Sequence, residues 1–237
     1  MPMTQILAID TATEACSAAL LVGQTTLSRY EVAPQGHTRL ILPMVESLLA
    51  EAGVSLAQLD AIAFGRGPGS FTGVRIGVGI AQGLALGADK PLIGISNLAV
   101  LAQRCWLDSQ AEQVLCAIDA RMGEVYFGAY RRMGETMVLQ GDEAVLPPEV
   151  AVRQGLANLA AGSGGWLGAG TGWAAYAEAL SPLRNQLTGL GAELPDAAAM
   201  LPLASLAWQQ GLACEAALAQ PVYLRDKVTW KKLPGRE

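Results

Sequence analysis

Few side chains in this sequence are equipped for chemistry. The 237 residues hold one histidine, His37, and four cysteines, Cys16, Cys105, Cys116 and Cys214. A serine triad would need His37 as its base, and no G-x-S-x-G elbow supplies the nucleophile. The cysteines stand far apart without a C-x-x-C pair, which points to buried reduced thiols rather than a disulfide framework or a zinc site. Two acids close short apolar runs: Asp10 after Gln5 to Ile9, and Asp119 after Val114 to Ile118. The remaining feature is the loop Gly65-Arg66-Gly67-Pro68-Gly69-Ser70-Phe71-Thr72-Gly73. A glycine loop ahead of a helix can hold an anion on its backbone N–H groups. Its spacing matches neither G-x-G-x-x-G nor the P-loop, and the chain has no Gly-Lys pair. The competing reading is a tight turn that needs positive φ.

These residues have to be carried by regular elements. Gln5 to Asp10 reads as a buried strand, Ala15 to Val22 as a second, and Thr26 to Val32 as a third, with Gly23-Gln24-Thr25 as the hairpin turn. The period then changes. Ile41, Val45, Leu48 and Ala52 share one helical face between Thr38 and Ala52, and Gly53 is a natural stop. Leu40, Leu42 and Leu49 lie off that stripe, so this helix must be covered on two sides. Asp60 to Phe64 is a strand, Ser70 to Leu86 a helix, and Pro91 to Ile95 a strand. Ser96-Asn97 fits the cap of a helix running to about Trp106. Three meandering strands followed by alternation predict a mixed sheet with helices packed on it. Val114 to Ile118, Glu124 to Arg131 and Thr136 to Val145 open a second strand-rich unit, which Pro147-Pro148 should end. A short strand at Trp166 to Gly168 and a helix after Gly172 follow. Asp196 to Cys214 reads as the last helix, and Lys227 to Glu237 as a polar tail. A soft boundary falls near residue 105.

The helix from Ser70 holds Gly73, Gly77, Gly79 and Gly83. Each costs about 1 kcal/mol against alanine, so four cost roughly 4 kcal/mol. Against a net stability of about 5–15 kcal/mol, close packing must offset that loss. At about 100° per residue, Gly73 and Gly77 share one face and Gly79 and Gly83 another. Two faces are open to close backbone approach. One should sit on the sheet; the other is free for a neighbouring helix, a partner or a ligand.

Composition narrows the classes. Apolar residues make up 51% and charged residues 16%, which favours a well-buried fold over disorder. A net charge of −5 does not attract nucleic acid through the whole field, so an RNA role must rest on a local patch or a partner. The stretch Val74 to Leu86 is broken by glycines, carries Arg75 and Gln82, and falls short of the ~18 apolar residues of a membrane span. Met1 to Gln5 has no basic n-region. The expectation is a cytoplasmic protein with no membrane contact.

Several motifs carry a resemblance. Gly67-Pro68-Gly69-Ser70-Phe71-Thr72-Gly73-Val74-Arg75 resembles the signature of the TsaB family, also called YeaZ. Ile9-Asp10-Thr11-Ala12-Thr13, Ile118-Asp119-Ala120-Arg121, Gly170-Thr171-Gly172-Trp173, Pro221-Val222-Tyr223-Leu224-Arg225 and Trp230-Lys231-Lys232-Leu233-Pro234-Gly235 resemble the same family in the same order. The resemblance runs nearly end to end. It implies an α/β actin-like ATPase (ribonuclease H-like) fold, with two subdomains that each have a mixed sheet flanked by helices. The first would span 1–105, the second 106–220 with its last helix free to return to the first, and the tail 221–237.

The resemblance also implies a role. TsaB proteins act in making threonylcarbamoyladenosine in tRNA, without performing the transfer. The partner TsaD holds a metal and transfers the threonylcarbamoyl group, TsaE is an ATPase that binds the pair, and tRNA is met through the complex. TsaD-like proteins carry two histidines four apart, as in H-x-E-G-H, on one helical face. Asn97 and Leu101 stand there in this chain, so neither an imidazole pair nor a glycoprotease-type metallopeptidase is expected, and no catalytic or metal residue is assigned.

An actin-like fold would place nucleotide candidates at Asp10, Thr11, Thr13, Asp119, Arg121, Gly170, Thr171 and Gly172, with weak ATP or ADP and Mg²⁺ as the cofactor. Asp119 could hold Mg²⁺ through water or pair with Arg121 to shape a turn. Ala12, where many such ATPases have glycine, would crowd a phosphate. The tail residues Arg225, Lys227, Trp230, Lys231, Lys232 and Arg236 combine base and aromatic as an RNA contact would. The apolar first helix and the glycine helix predict a joint surface for TsaD, or for a second copy when TsaD is absent. It comprises Leu40, Ile41, Leu42, Met44, Val45, Leu48, Leu49, Phe71, Thr72, Gly73, Arg75, Ile76, Gly77 and Ile80. The rival reading is an active small-molecule kinase or ATPase on the same fold.

Overall fold

The computed structural model describes residues 4–161 and 164–225. Strands β1 (Gln5–Asp10), β2 (Ala15–Val22) and β3 (Thr25–Val32) form an antiparallel meander. Helix α1 (His37–Ala52) leads to β4 (Ala61–Gly65), which pairs parallel with β1. Helix α2 (Phe71–Ala88) then leads to β5 (Leu92–Ile95), parallel with β4. The order is β3-β2-β1-β4-β5. Alternation along β1 explains the layers: Leu7 and Ile9 face α1 and α2, while Ile6 and Ala8 face a helix from the far end of the chain. Ile41, Val45 and Leu48 of α1 enter the first of these cores, and Gly53 caps the helix at φ 66°.

The second half repeats the plan. After α3 (Asn97–Ser109) come β6 (Gln113–Asp119), β7 (Val125–Met133), β8 (Thr136–Leu139) and β9 (Ala144–Leu146). Helix α4 (Pro148–Ala160), β10 (Leu167–Ala169), the short α5 (Gly172–Ala175) and α6 (Ser181–Arg184), β11 (Gly189–Leu190) and α7 (Ala197–Gln209) complete it. The order β8-β7-β6-β10-β11 has the same pattern of parallel and antiparallel pairs as the first sheet, and β9 adds to β7. The expected two-subdomain architecture is present, and β1 and β6 are equivalent strands that both end in an acid.

Several expectations shift. The strand expected over 136–145 is broken between Leu139 and Ala144, where Gly141 turns at φ 83°. Pro147-Pro148 does end the strands, but Pro148 also opens α4, where a missing N–H is tolerated. The last helix stops at Gln209, and Cys214 pairs with Leu92 at the edge of the first sheet. Helix α7 packs on β1 and β2, so residues 197–209 belong to the first layer. Helix α3 packs on β6, β7 and β8 on one side and on α7 on the other, so it lies between the two sheets. Helix α2 is long and apolar enough to cross a bilayer, yet it lies on the first sheet with Val74, Val78, Ala81 and Ala85 buried.

Candidate functional site

A cleft of about 1000 Å³ opens where β1 and β6 end. Thr13 and Glu14 line it from one side, Asp119 and Arg121 from the other, with α2 beginning at Ser70 and Phe71 and the segment 222–225 along its edge. Of the eight nucleotide candidates, Thr13, Asp119, Arg121 and Thr171 line this space. The other four do not.

Asp10 lies below the cleft floor, 2% exposed. Its Oδ1 accepts from Ala12 N at 2.8 Å, and its Oδ2 accepts from Asn97 Nδ2. Asn97 is fully buried; its Oδ1 accepts from Gly67 N at 2.9 Å, and its own N donates to Gly67 O at 3.0 Å. One acid and one amide thus tie the β1 turn, the glycine loop and the start of α3 together. Thr11 Oγ1 donates to Gly73 O at 2.7 Å, and Ser70 N donates to Ala12 O at 2.7 Å. Ala12 is fully buried and packs in the first core, and it is also one of the residues that line the cleft. The loop of glycines is a lid on this turn: a Cβ at Gly69 would fall 2.4 Å from Ala12 O.

Burial raises the Asp10 carboxyl to about 7, against the two donors that favour its charge. The folded chain therefore keeps a proton that the unfolded chain loses near its ordinary value. Stability should fall as pH climbs from about 4 towards 7 and level off above, because the native state binds more protons in that window. A tenfold difference in proton affinity between the two states is worth ~1.4 kcal/mol. Melting the protein between pH 5 and 8 checks this: Asp10→Asn should flatten the slope, and an equal slope in both proteins would refute the assignment.

Asp119, the equivalent acid, does face the cleft. Its Oδ1 accepts from Arg121 N at 2.8 Å and from Tyr176 Oη at 2.9 Å, and Arg121 Nη1 sits 3.1 Å from Oδ2. Asp119 N donates to Thr171 Oγ1 at 3.1 Å. This is the turn-shaping Asp–Arg pair, and it leaves the carboxylate at the cleft wall. Gly170 and Gly172 serve packing: a Cβ would come within 2.3 and 2.8 Å of Ala117 O. His37 is buried in the cleft wall, and desolvation lowers its pKa.

The interface candidates divide. Ile41, Val45 and Leu48 point into the first core, and Gly73 and Gly77 press on Thr11, so these five offer no outer surface. Leu40, Met44, Leu49, Ile76 and Ile80 are half-buried. Leu42, Phe71, Thr72 and Arg75 are exposed, Phe71 by 64%. Gly79 and Gly83 have nothing within 4 Å of where a Cβ would lie. The second glycine face is therefore bare, and these two residues join the candidate surface on the strength of their spacing alone. Leu101 is fully buried in the core beneath the second sheet. Among the tail candidates, Arg225 is engaged with Glu124; Lys227, Trp230, Lys231, Lys232 and Arg236 lie outside the described residues. Tyr223 and Arg225 also line the cleft. Sequence reasoning misses them there: the Pro221–Arg225 motif is visible, but nothing in its residue types announces a structural role.

A family model described as TsaD, tRNA N6-adenosine threonylcarbamoyltransferase, matches residues 21–232. The "tRNA threonylcarbamoyladenosine biosynthesis protein TsaB" of Escherichia coli (strain K12) is 50% identical over 235 residues, covering 98% of this chain and all of the relative. The protein of the same name from Haemophilus influenzae is 49% identical over 240 residues, covering 98% of each. Among solved structures, "YeaZ from Pseudomonas aeruginosa" superposes with a TM-score of 0.83 at 49% identity, over 94% of this chain and all of that one.

Proposed function

This chain belongs to the TsaB family, and on that premise we propose that it is a non-catalytic pairing subunit in the formation of threonylcarbamoyladenosine in tRNA. It shares the actin-like fold with the transferase family whose model it matches. The observation that carries the non-catalytic reading is at the start of α3. Where a TsaD-like chain would present its histidine pair, Asn97 spends both ends of its amide on Asp10 and Gly67, and Leu101 fills an apolar core. A metal-holding geometry there would break the network beneath the cleft. The transfer then falls to TsaD, with TsaE as the ATPase of the assembly, tRNA reached through the complex, and the cytoplasm as the compartment. The exposed part of the α1–α2 face, Leu42 with Phe71, Thr72 and Arg75, pairs with TsaD, or with a second copy when TsaD is lacking.

The test is tRNA threonylcarbamoylation reconstituted from TsaD, TsaE and supplied threonylcarbamoyl adenylate. Modification should depend on this chain, and Asn97→Ala, which cannot create a metal site, should reduce it only as far as it reduces folding. Modification at full rate without the chain would end the proposal. A second reading has one observation in its favour: the cleft sets Thr13, Asp119, Arg121 and Thr171 around a space large enough for a nucleotide. Weak ATP or ADP binding with Mg²⁺ fits that wall. Steady ATP hydrolysis by the isolated chain, lost in Asp119→Ala, would favour a kinase or ATPase instead.

A further inference from the structure

The last described residues do not trail off the surface. From Cys214 the chain runs along the first subdomain, where Gln82 Nε2 donates to Ala216 O and Ala219 O at 3.1 Å each. Val222 N donates to Arg66 O at 2.8 Å. Gly67, at φ 100°, leaves so little room that a Cβ would fall 2.8 Å from Val222 O. Tyr223 then stacks beside Phe71 at 5.8 Å between ring centroids, and the Arg75 guanidinium lies over both rings. To this point the contacts named are with the first subdomain: β5 at Cys214, then α2 and the glycine loop.

Two residues later the chain reaches the other subdomain. Arg225 Nη2 lies 2.6 Å from Glu124 Oε2 and donates to Ala120 O at 3.2 Å and Arg121 O at 3.4 Å; Nη1 lies 3.3 Å from Met122 Sδ. One guanidinium therefore grips a whole turn between β6 and β7. That turn is strained: Arg121 and Met122 hold φ of 61° and 58°, which non-glycine residues rarely adopt. Asp119 ties it from inside through Arg121 N, and Arg225 ties it from outside. Arg121 also reaches Glu14 at 3.7 Å across the cleft, but its side chain is mostly exposed, and such a pair holds weakly. Arg225 and Glu124 are only 18% and 31% exposed, and their bond is charge-assisted with further carbonyl acceptors.

We infer that residues 221–225 are a latch between the two subdomains, anchored on the glycine loop and α2, with Arg225 as the catch that sets the width of the cleft. Its parts are well separated. The anchor is backbone hydrogen bonds and a ring pair under the Arg75 guanidinium, all within the first subdomain. The catch is one fork of hydrogen bonds, so losing it frees the turn and lets the cleft widen, while α3, packed on α7 and on the second sheet, keeps the subdomains joined behind it. The latch also shares Phe71 and Arg75 with the exposed end of α2, so whatever engages that end bears on the same strap.

The test uses the isolated full chain. Spin labels are placed at Thr26→Cys and Arg153→Cys, exposed positions on the two subdomains, in a Cys214→Ser background because the other three cysteines are buried. The native protein should give one narrow distance distribution. Arg225→Ala should broaden it towards longer distances. It should also raise amide exchange about tenfold, or ~1.4 kcal/mol, both at residues 120–124 and at residues 66–71 on the opposite subdomain. Arg225→Lys, which keeps the charge but loses the planar fork, should fall between. Glu124→Gln, changed from the other side, guards against a folding defect peculiar to position 225. Faster exchange confined to 120–124 with an unchanged distance would reduce Arg225 to a local brace and overturn the latch, as would no change in either reading.

Discussion

Gly73→Ala should lower the melting temperature by roughly 10 °C or prevent folding, while Gly79→Ala and Gly83→Ala each raise it by a few degrees. All three lie in one helix and all three swaps improve helix propensity by about 1 kcal/mol. They differ in what the new methyl meets. At Gly73 it would come 2.2 Å from Thr11 O, a backbone atom that cannot swing away. Overpacking of this kind costs ~1–3 kcal/mol or more, and each kcal/mol shifts the melting point by about 2–4 °C in a chain of this size. The β1 turn would have to move, and Asp10, Asn97 and Gly67 are bonded to one another just beneath it. At Gly79 and Gly83 nothing lies within 4 Å, so only the propensity gain remains. Calorimetry on the three variants decides it. Equal effects at Gly73 and Gly79 would mean that the helix does not sit on the turn as described.

Leu42→Asp and Phe71→Asp should each weaken pairing with TsaD at least thirtyfold, about 2 kcal/mol. Leu42→Asp should leave the melting temperature of the free chain nearly unchanged, whereas Phe71→Asp also removes the ring contacts with Tyr223 and Arg75 and should lower it. The separation of the two readouts at Leu42 is the point. Leu42 is 42% exposed, so a carboxylate there stays in water in the monomer and costs little. In a joint it would be buried unpaired, and that is expensive. Leu49 is a poorer site, because it is packed against the first core and a charge would disturb folding as well. Gly83→Ala adds a third reading. It should stabilise the free chain yet weaken the pair if the bare face of α2 belongs to the joint. Gel filtration and titration with labelled TsaD measure both. Undiminished pairing in Leu42→Asp and Phe71→Asp would remove the proposed surface.

Much of the architecture was legible because periodicity reports burial. The short apolar run of β1, the i, i+4, i+7 stripe of α1 and the cap at Ser96 all follow from local rules, and they give the first sheet nearly intact. The second sheet was harder. β10 and β11 are three and two residues long, too short to show any period, and β8 and β9 are separated by a turn that reads as continuous strand. The candidate site was half legible for a different reason. Asp10 and Asp119 have the same place at the end of equivalent strands, and sequence alone gives them the same role. What separates them is Asn97, 87 residues away from Asp10, which seals one acid under the turn while the other stays at the cleft wall. Likewise, the apolar residues of α1 and α2 look alike in sequence, and only the packing divides those that face inward from those left for a partner.

The bare face of α2 has a consequence for the entropy of assembly. A typical interface immobilises long side chains on association, at about 0.5–1.5 kcal/mol each. Gly79 and Gly83 have no rotamers to lose, and the helix backbone beneath them is already fixed. A partner seated there would order nothing on this side of the joint. Such contact can form and part readily, and it reads no chemistry, because one glycine presents itself like another. Under the proposed function, selectivity between TsaD and a second copy of the chain would have to come from the rim, from Leu42, Phe71 and Arg75.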